Sequence, residues 1–150
     1  YRVINSAADQ LTLQQDLMRL EEWGDRWGMR FNASKCEIMR ICRASQPIKS
    51  ISMYSLGWVA LREVDKARYL GVDISSDLSW SPHIATITNK ANSKIGFLWR
   101  NLWHCPKQLR ERAYIAMVRS VLEYSCAIWD PHLGKDTTSL ERVQRRVGIR

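Results

Sequence analysis

The sequence predicts an α+β chain in which a helix and short strands come first and helices alone follow. Three observations carry this. Apolar residues recur at steps of three and four from Leu13 to Trp27. The stretch from Lys35 to Ile74 breaks instead into short apolar runs with glycines between them. From Ser79 onward every apolar stripe has helical spacing, so the chain changes character near that residue.

Ser6-Ala7-Ala8-Asp9 resembles a capping box with Asp in place of the usual Glu, and it opens the first helix. Leu13, Leu17, Leu20, Gly24 and Trp27 form its apolar face, with Trp23 and Trp27 expected as anchors against a sheet. Gly28 is the expected stop, because glycine enters the left-handed region at little cost. Lys35 to Cys42 lacks clean alternation, which suits a strand covered on both faces. Ala44 to Ser50 reads as a loop. Ile51 to Leu56 and Val59 to Arg62 read as a hairpin turning at Gly57. Arg68 to Ile74 reads as a further strand whose Gly71 marks a bulge or a close backbone approach.

Serine as N-cap followed by Pro82 at the first helical position opens the next helix. Its stripe is Ile84, Ile87, Ala91, Ile95, Leu98 and Leu102. Pro106 breaks this helix and starts another, which runs to Asp130-Pro131. That second helix is apolar on two sides, with Leu109, Ala113, Met117, Val121 and Tyr124 on one and Ile115, Val118 and Leu122 on the other. The pattern predicts a place in the middle of a bundle. A last helix begins near Asp136, with Leu140, Val143 and Val147 facing inward.

Charge is unevenly spread. Residues 1–80 carry 11 Lys/Arg against 10 Asp/Glu, whereas residues 81–150 carry 12 against 5. A concentrated basic half points to a polyanion, since Lys and Arg neutralise phosphates and release counterions. No apolar run approaches the roughly 20 residues needed to span a bilayer, so no membrane partner is expected. Cys36, Cys42, Cys105 and Cys126 have neither zinc-site spacing nor the density of a disulfide scaffold. They are expected as small buried apolar groups, which suits a reducing intracellular compartment, nuclear or cytoplasmic.

His83, His104 and His132 lack acidic neighbours at useful spacing, so no nucleophilic triad is supportable, and no metal ligand set is read. Asn32 is expected to hold a turn by bonding its own backbone. By residue type Lys35 is a solvated lysine, and Tyr69-Leu70-Gly71 is an ordinary strand. Lys90, Lys94 and Asn101 share one flank of the Ile84 helix with Phe97. Trp99 and Trp103 lie on the other flank, where packing is expected. Arg142, Arg145, Arg146 and Arg150 form a second basic group.

Phe31-Asn32-Ala33-Ser34-Lys35-Cys36-Glu37 followed by Ala67-Arg68-Tyr69-Leu70-Gly71-Val72-Asp73-Ile74 is a specific ordered series. With Trp129-Asp130-Pro131 and Leu140 to Arg146, it resembles the reverse transcriptase of non-LTR, LINE-like retrotransposons along essentially the whole chain. The resemblance implies that residues 1–78 are the end of a polymerase palm, a helix plus antiparallel strands. Residues 79–150 would then be an all-helical thumb, truncated at its end. It implies that Lys35 protonates the departing pyrophosphate, acting as a general acid. Tyr69, Leu70 and Gly71 would grip the primer, while Lys90, Lys94, Arg142, Arg145 and Arg146 would contact nucleic acid. The expected partners are an RNA template, a DNA primer and the remainder of the polymerase chain. The catalytic aspartate pair is expected before Tyr1. On this reading the fragment has no cofactor and no polymerase activity alone, and Mg²⁺ serves the full-length enzyme. Two alternatives stand beside it: a non-catalytic nucleic-acid-binding module, and a helical interaction domain derived from a mobile element.

Overall fold

A computed structural model describes residues 1–42 and 53–146. The chain divides into two compact units, Tyr1–Ala67 and Arg68–Arg150. The expected Ala44–Ser50 loop and the start of the Ile51–Leu56 strand lie outside the described residues, as do Val147 and Arg150.

The first unit is built on α1 (Ala7–Arg26). Its capping box is complete. Ser6 Oγ accepts from the Asp9 N–H, and Asp9 Oδ2 accepts from the Ser6 N–H at 2.8 Å, so the shorter Asp does the work of Glu. Backbone donation from Asn5, then the hydroxyl and N–H of Ser6, holds the Asp9 carboxyl below the ordinary aspartate range. The helix ends as expected, with Gly28 at φ +65°. The chain then doubles back, and the Met29 N–H donates to Gly24 O at 2.8 Å. A Cβ on Gly24 would lie 2.6 Å from Met29 O, so the small residue in the stripe makes room for the returning backbone.

Polar contacts join α1 to the hairpin of β2 (Ser55–Leu56) and β3 (Val59–Ala60), which follows β1 (Glu37–Ile38) in the chain. Gln14 donates to Ser55 O and accepts from Ser55 N–H, each at 3.0 Å, imitating a strand neighbour. Glu21 accepts from the Gly57 N–H at the turn. The hairpin is antiparallel, as expected, with Leu56 opposite Val59. Three expectations fail here. Lys35–Cys42 contributes only the two residues of β1 to a strand, and Glu37 and Ile41 are exposed. The pairing of β1 with β4 (Arg62–Glu63) is parallel, set in register by an ion pair between Glu37 and Arg62. Trp23 and Trp27 are 46% and 66% exposed, because the strands near α1 are too short to cover them.

In the second unit, Arg68–Ile74 is not one strand. It is a hairpin of β5 (Lys66–Tyr69) and β6 (Val72–Ser75) closed by Leu70-Gly71. α2 (Ser81–Leu102) carries the expected stripe: Ile84, Ile87, Ala91, Ile95 and Leu98 are buried. Its N-cap is Trp80 rather than a serine, and the Ser81 hydroxyl instead donates to buried Asp136 at 2.6 Å. The expected second helix is α3 (Lys107–Tyr114), a wide π-helical stretch (Ile115–Arg119) and the short α4 (Ser120–Leu122). It stops before Asp130. Ser125 turns at φ +54°, and the Trp129 indole donates to Tyr124 O at 2.9 Å to close the loop. Val118 and Leu122 enter the core, and Ala113, Met117 and Val121 pack partly buried against it, whereas Leu109, Ile115 and Tyr124 are exposed. Both expected faces thus contribute to the core in part, and the π stretch shifts the register between Ile115 and Arg119.

α5 (Gly134–Arg146) starts near Asp136 and buries Val143 as expected, with Leu140 packed alongside. The Ser81–Asp136 contact and an Arg146–Asn92 hydrogen bond tie successive parts of α5 to successive parts of α2, so the two helices run parallel. Two apolar clusters result. Ala91, Ile95, Leu98, Val118, Leu122 and Val143 form one; Val72, Ile84, Ile87 and Trp129 form the other. All four cysteines are free; Cys126 is exposed in the loop after α4, so it is not a buried helix residue.

Candidate nucleic-acid interface

The turn at the tip of β5 and β6 holds two successive residues at positive φ. Leu70 and Gly71 have φ +47° and +85°, the paired positive values of a tight I′-type hairpin turn. Leucine is rarely found there, since its Cβ crowds the following carbonyl. The Tyr124 hydroxyl holds the strained residue in place by donating to Leu70 O at 3.0 Å. The same ring lies beneath Gly71, where a Cβ would meet Tyr124 Cε1 at 3.0 Å. Glycine is therefore required twice over, by φ and by the close ring. Tyr69 and Leu70 point outward, 66% and 74% exposed. Periodicity places Tyr124 on an apolar helix face; the sole sequence signal for its role is the hydroxyl that separates it from the stripe residues.

Behind this turn, β6 is locked to the start of α2. Ser75 Oγ lies 2.6 Å from Asp77 Oδ1 and 2.8 Å from Ser79 O, and the Ser79 N–H donates to the same carboxylate. The Ser75 hydroxyl, then the Ser79 N–H, holds the Asp77 carboxyl below the ordinary range. The buried imidazole of His83 accepts the Asp73 N–H at Nδ1 and meets the edge of Trp129 at 5.2 Å between ring centroids. The sequence marks His83 only as a helix-start histidine; it is a core residue joining strand to helix.

On α2, Lys90 is exposed and Lys94 half-buried, and neither has an ion pair or side-chain hydrogen bond among the described residues. Phe97 is half-exposed on that flank, while Asn101 donates to Phe97 O within its own helix. On α5, Arg145 pairs with Glu141 at 2.8 Å, and Arg146 donates to Asn92 at 3.1 Å. Arg142 has no such partner among the described residues. The two basic groups do not merge. Asn92 stands two residues from both Lys90 and Lys94, which is about 200° round a helix, so Arg146 sits on the opposite flank. Trp99 and Trp103, expected to pack, are 52% and 61% exposed.

Lys35 belongs to the first unit. It ends a 3₁₀ turn (Ala33–Lys35) and is exposed, and Asn32 caps the turn by accepting from Ser34 N–H at 3.1 Å, as expected for that residue. Among the described residues, no group of three or more His, Cys, Asp or Glu could hold a metal ion. No helix among the described residues is long and apolar enough to cross a membrane.

Over 83 residues, 55% of its length, the chain is 26% identical to the RNA-directed DNA polymerase from mobile element jockey of Drosophila melanogaster. The matched stretch covers 9% of that polymerase's length. No family profile matches the chain, and no solved structure matches it significantly.

Proposed function

We propose that the chain is part of an RNA-directed DNA polymerase and positions a primer–template duplex, with residues 1–78 as late palm and 79–150 as thumb. The observation that carries this reading is the similarity to the jockey polymerase. The basic second half supports it, as do Lys90 and Lys94, which have no side-chain partner among the described residues, because a duplex is held chiefly through its phosphates. The rigid Leu70-Gly71 turn supports a grip on the primer. Its backbone is fixed by Tyr124, and its two outward side chains are free to pack against sugar. Arg142, Arg145 and Arg146 add positive charge on the other flank of α2.

In the complete enzyme, Lys35 would donate a proton to the pyrophosphate oxygen as the bond to the α-phosphate breaks. Its place at the end of a capped turn, exposed and ahead of β1, leaves the ammonium accessible. The test is Lys35→Leu in an active polymerase containing this segment. Nucleotide addition should slow by about 10²-fold or more, with template binding nearly unchanged. A rate within a few-fold of the parent, with chemistry limiting, returns Lys35 to an ordinary surface role. The segment alone should extend no primer with Mg²⁺, and template-dependent incorporation by it would contradict the reading.

A further inference from the structure

Trp99 and Trp103 have no role in the duplex grip just described, yet the flank of α2 that carries them is neither buried nor chemically neutral. Asn92, Gly96, Trp99 and Trp103 follow one another at steps of four, three and four, so they form a single ridge along the helix. Asn92 accepts the Arg146 guanidinium at 3.1 Å, which brings the basic end of α5 to this ridge. One turn on, Gly96 leaves a hollow, and Arg100 Nη1 folds toward it, 3.4 Å from where a Cβ would stand. Beyond that come the two indoles, 6.0 Å apart between ring centroids and tilted by 40°, both more than half exposed. The ridge thus presents guanidinium, guanidinium, indole, indole in order. Arg142 and Arg145 lie on α5 beside Arg146, and the acid on that stretch, Glu141, is already paired to Arg145.

We propose that this ridge binds single-stranded RNA, an unpaired stretch of the template, separately from the duplex that Lys90 and Lys94 would hold. The arginines match a phosphate backbone. The open indole faces need unstacked bases, which a duplex interior does not offer and a single strand does. A protein partner would have to bring an acidic surface that also covers two tryptophans; a polynucleotide supplies anion and flat apolar face in every repeat. The choice of RNA rests on the polymerase reading above, in which the template is RNA.

The test uses the whole chain with three labelled probes of equal length: oligo-rU, oligo-dT and an RNA–DNA hybrid duplex. W99L/W103L should weaken oligo-rU binding by about tenfold or more per tryptophan while leaving the hybrid within about threefold. W99F/W103F, which keeps flat rings, should restore much of the loss, and melting temperatures should stay close to the parent's. R142Q/R146Q should weaken oligo-rU and flatten its salt dependence. Unchanged oligo-rU affinity in W99L/W103L overturns the proposal, and so does an equal loss on the hybrid. Tighter binding of oligo-dT than oligo-rU overturns the assignment to RNA. A sedimentation mass that falls in W99L/W103L with RNA binding intact would make the ridge a contact between copies instead. K90Q/K94Q separates the two readings: it should act on the hybrid and spare oligo-rU, so either site can fail without the other.

Discussion

The two units use similar helical patterns to opposite ends. α1 and α2 each carry an apolar stripe at steps of three and four. In α2 the stripe is buried under Val118, Leu122 and Val143, with Val72 and Trp129 closing its first turns. In α1, Leu20, Trp23 and Trp27 remain exposed, and the buried hydrophobic residues of that unit among those described are Tyr54 and Leu56. The difference lies in what is available to cover the stripe. α2 meets other helices, each offering a row of side chains. α1 meets two-residue strands held largely by Gln14 and Glu21, so few apolar groups face it. A stripe states where a helix wants a neighbour, and only the rest of the unit supplies one.

The sharpest way to break this contrast is to empty equivalent stripe positions. Ile84→Ala removes a side chain that is 1% exposed and should cost about 2–5 kcal/mol in urea unfolding. Leu13→Ala, at a half-buried site, should cost about 1 kcal/mol or less. Equal costs would mean that α1 is as well packed as α2.

The next contrast sets two glycines with positive φ against each other. A Cβ added at Gly28 would have no atom within 4 Å, whereas one at Gly71 would meet Tyr124 Cε1 at 3.0 Å. Gly28→Ala should cost the backbone penalty alone, about 1–2 kcal/mol. Gly71→Ala should cost more, by the movement of Tyr124, and should also weaken primer–template binding if the turn is a grip. Equal losses would show that the Tyr124 ring yields freely.

A smaller effect compares two carboxylates that accept backbone N–H groups, Asp9 in the α1 capping box and Asp77 in the turn before α2. Asp9 and Asp77 both have folded-state pKa values below the ordinary 3.8. Each therefore contributes stability that is present above that value and lost as pH falls through the depressed one. Melting temperature should drop below about pH 4. Asp77→Asn should lower the neutral-pH value and flatten the acid limb in the second unit; an unchanged acid limb in both Asp9→Asn and Asp77→Asn would show that these carboxylates add nothing to stability.

What the sequence makes legible follows the same division. The capping box at Ser6, the stop at Gly28, the hairpin at Gly57 and the α2 stripe are local signals, and each matches the structure. The parallel β1–β4 pair is not legible, because Glu37 and Arg62 are far apart in the chain and strands of two residues carry no pattern. Trp99 and Trp103 escape a sequence reading because indoles at helical spacing look like packing whether or not a helix covers them. The role of Tyr124 is hidden by the π stretch and the early end of α4, which together take it off the expected face. Of the candidate site, Lys90 and Lys94 stand together on one open flank as expected, while the arginine group and the tryptophans share the other.

A primer–template duplex held by the second unit through the Lys90–Lys94 flank of α2 would show itself most directly in salt dependence. The measurement is hybrid-duplex affinity against salt in the parent and in K90Q/K94Q, with melting temperature taken on the same samples. Each phosphate neutralised contributes about −0.9 to the slope of log K against log salt. Contact by both lysines predicts a slope flatter by about two units and a melting temperature close to the parent's. An unchanged slope, with any lost affinity following lost stability, would contradict it.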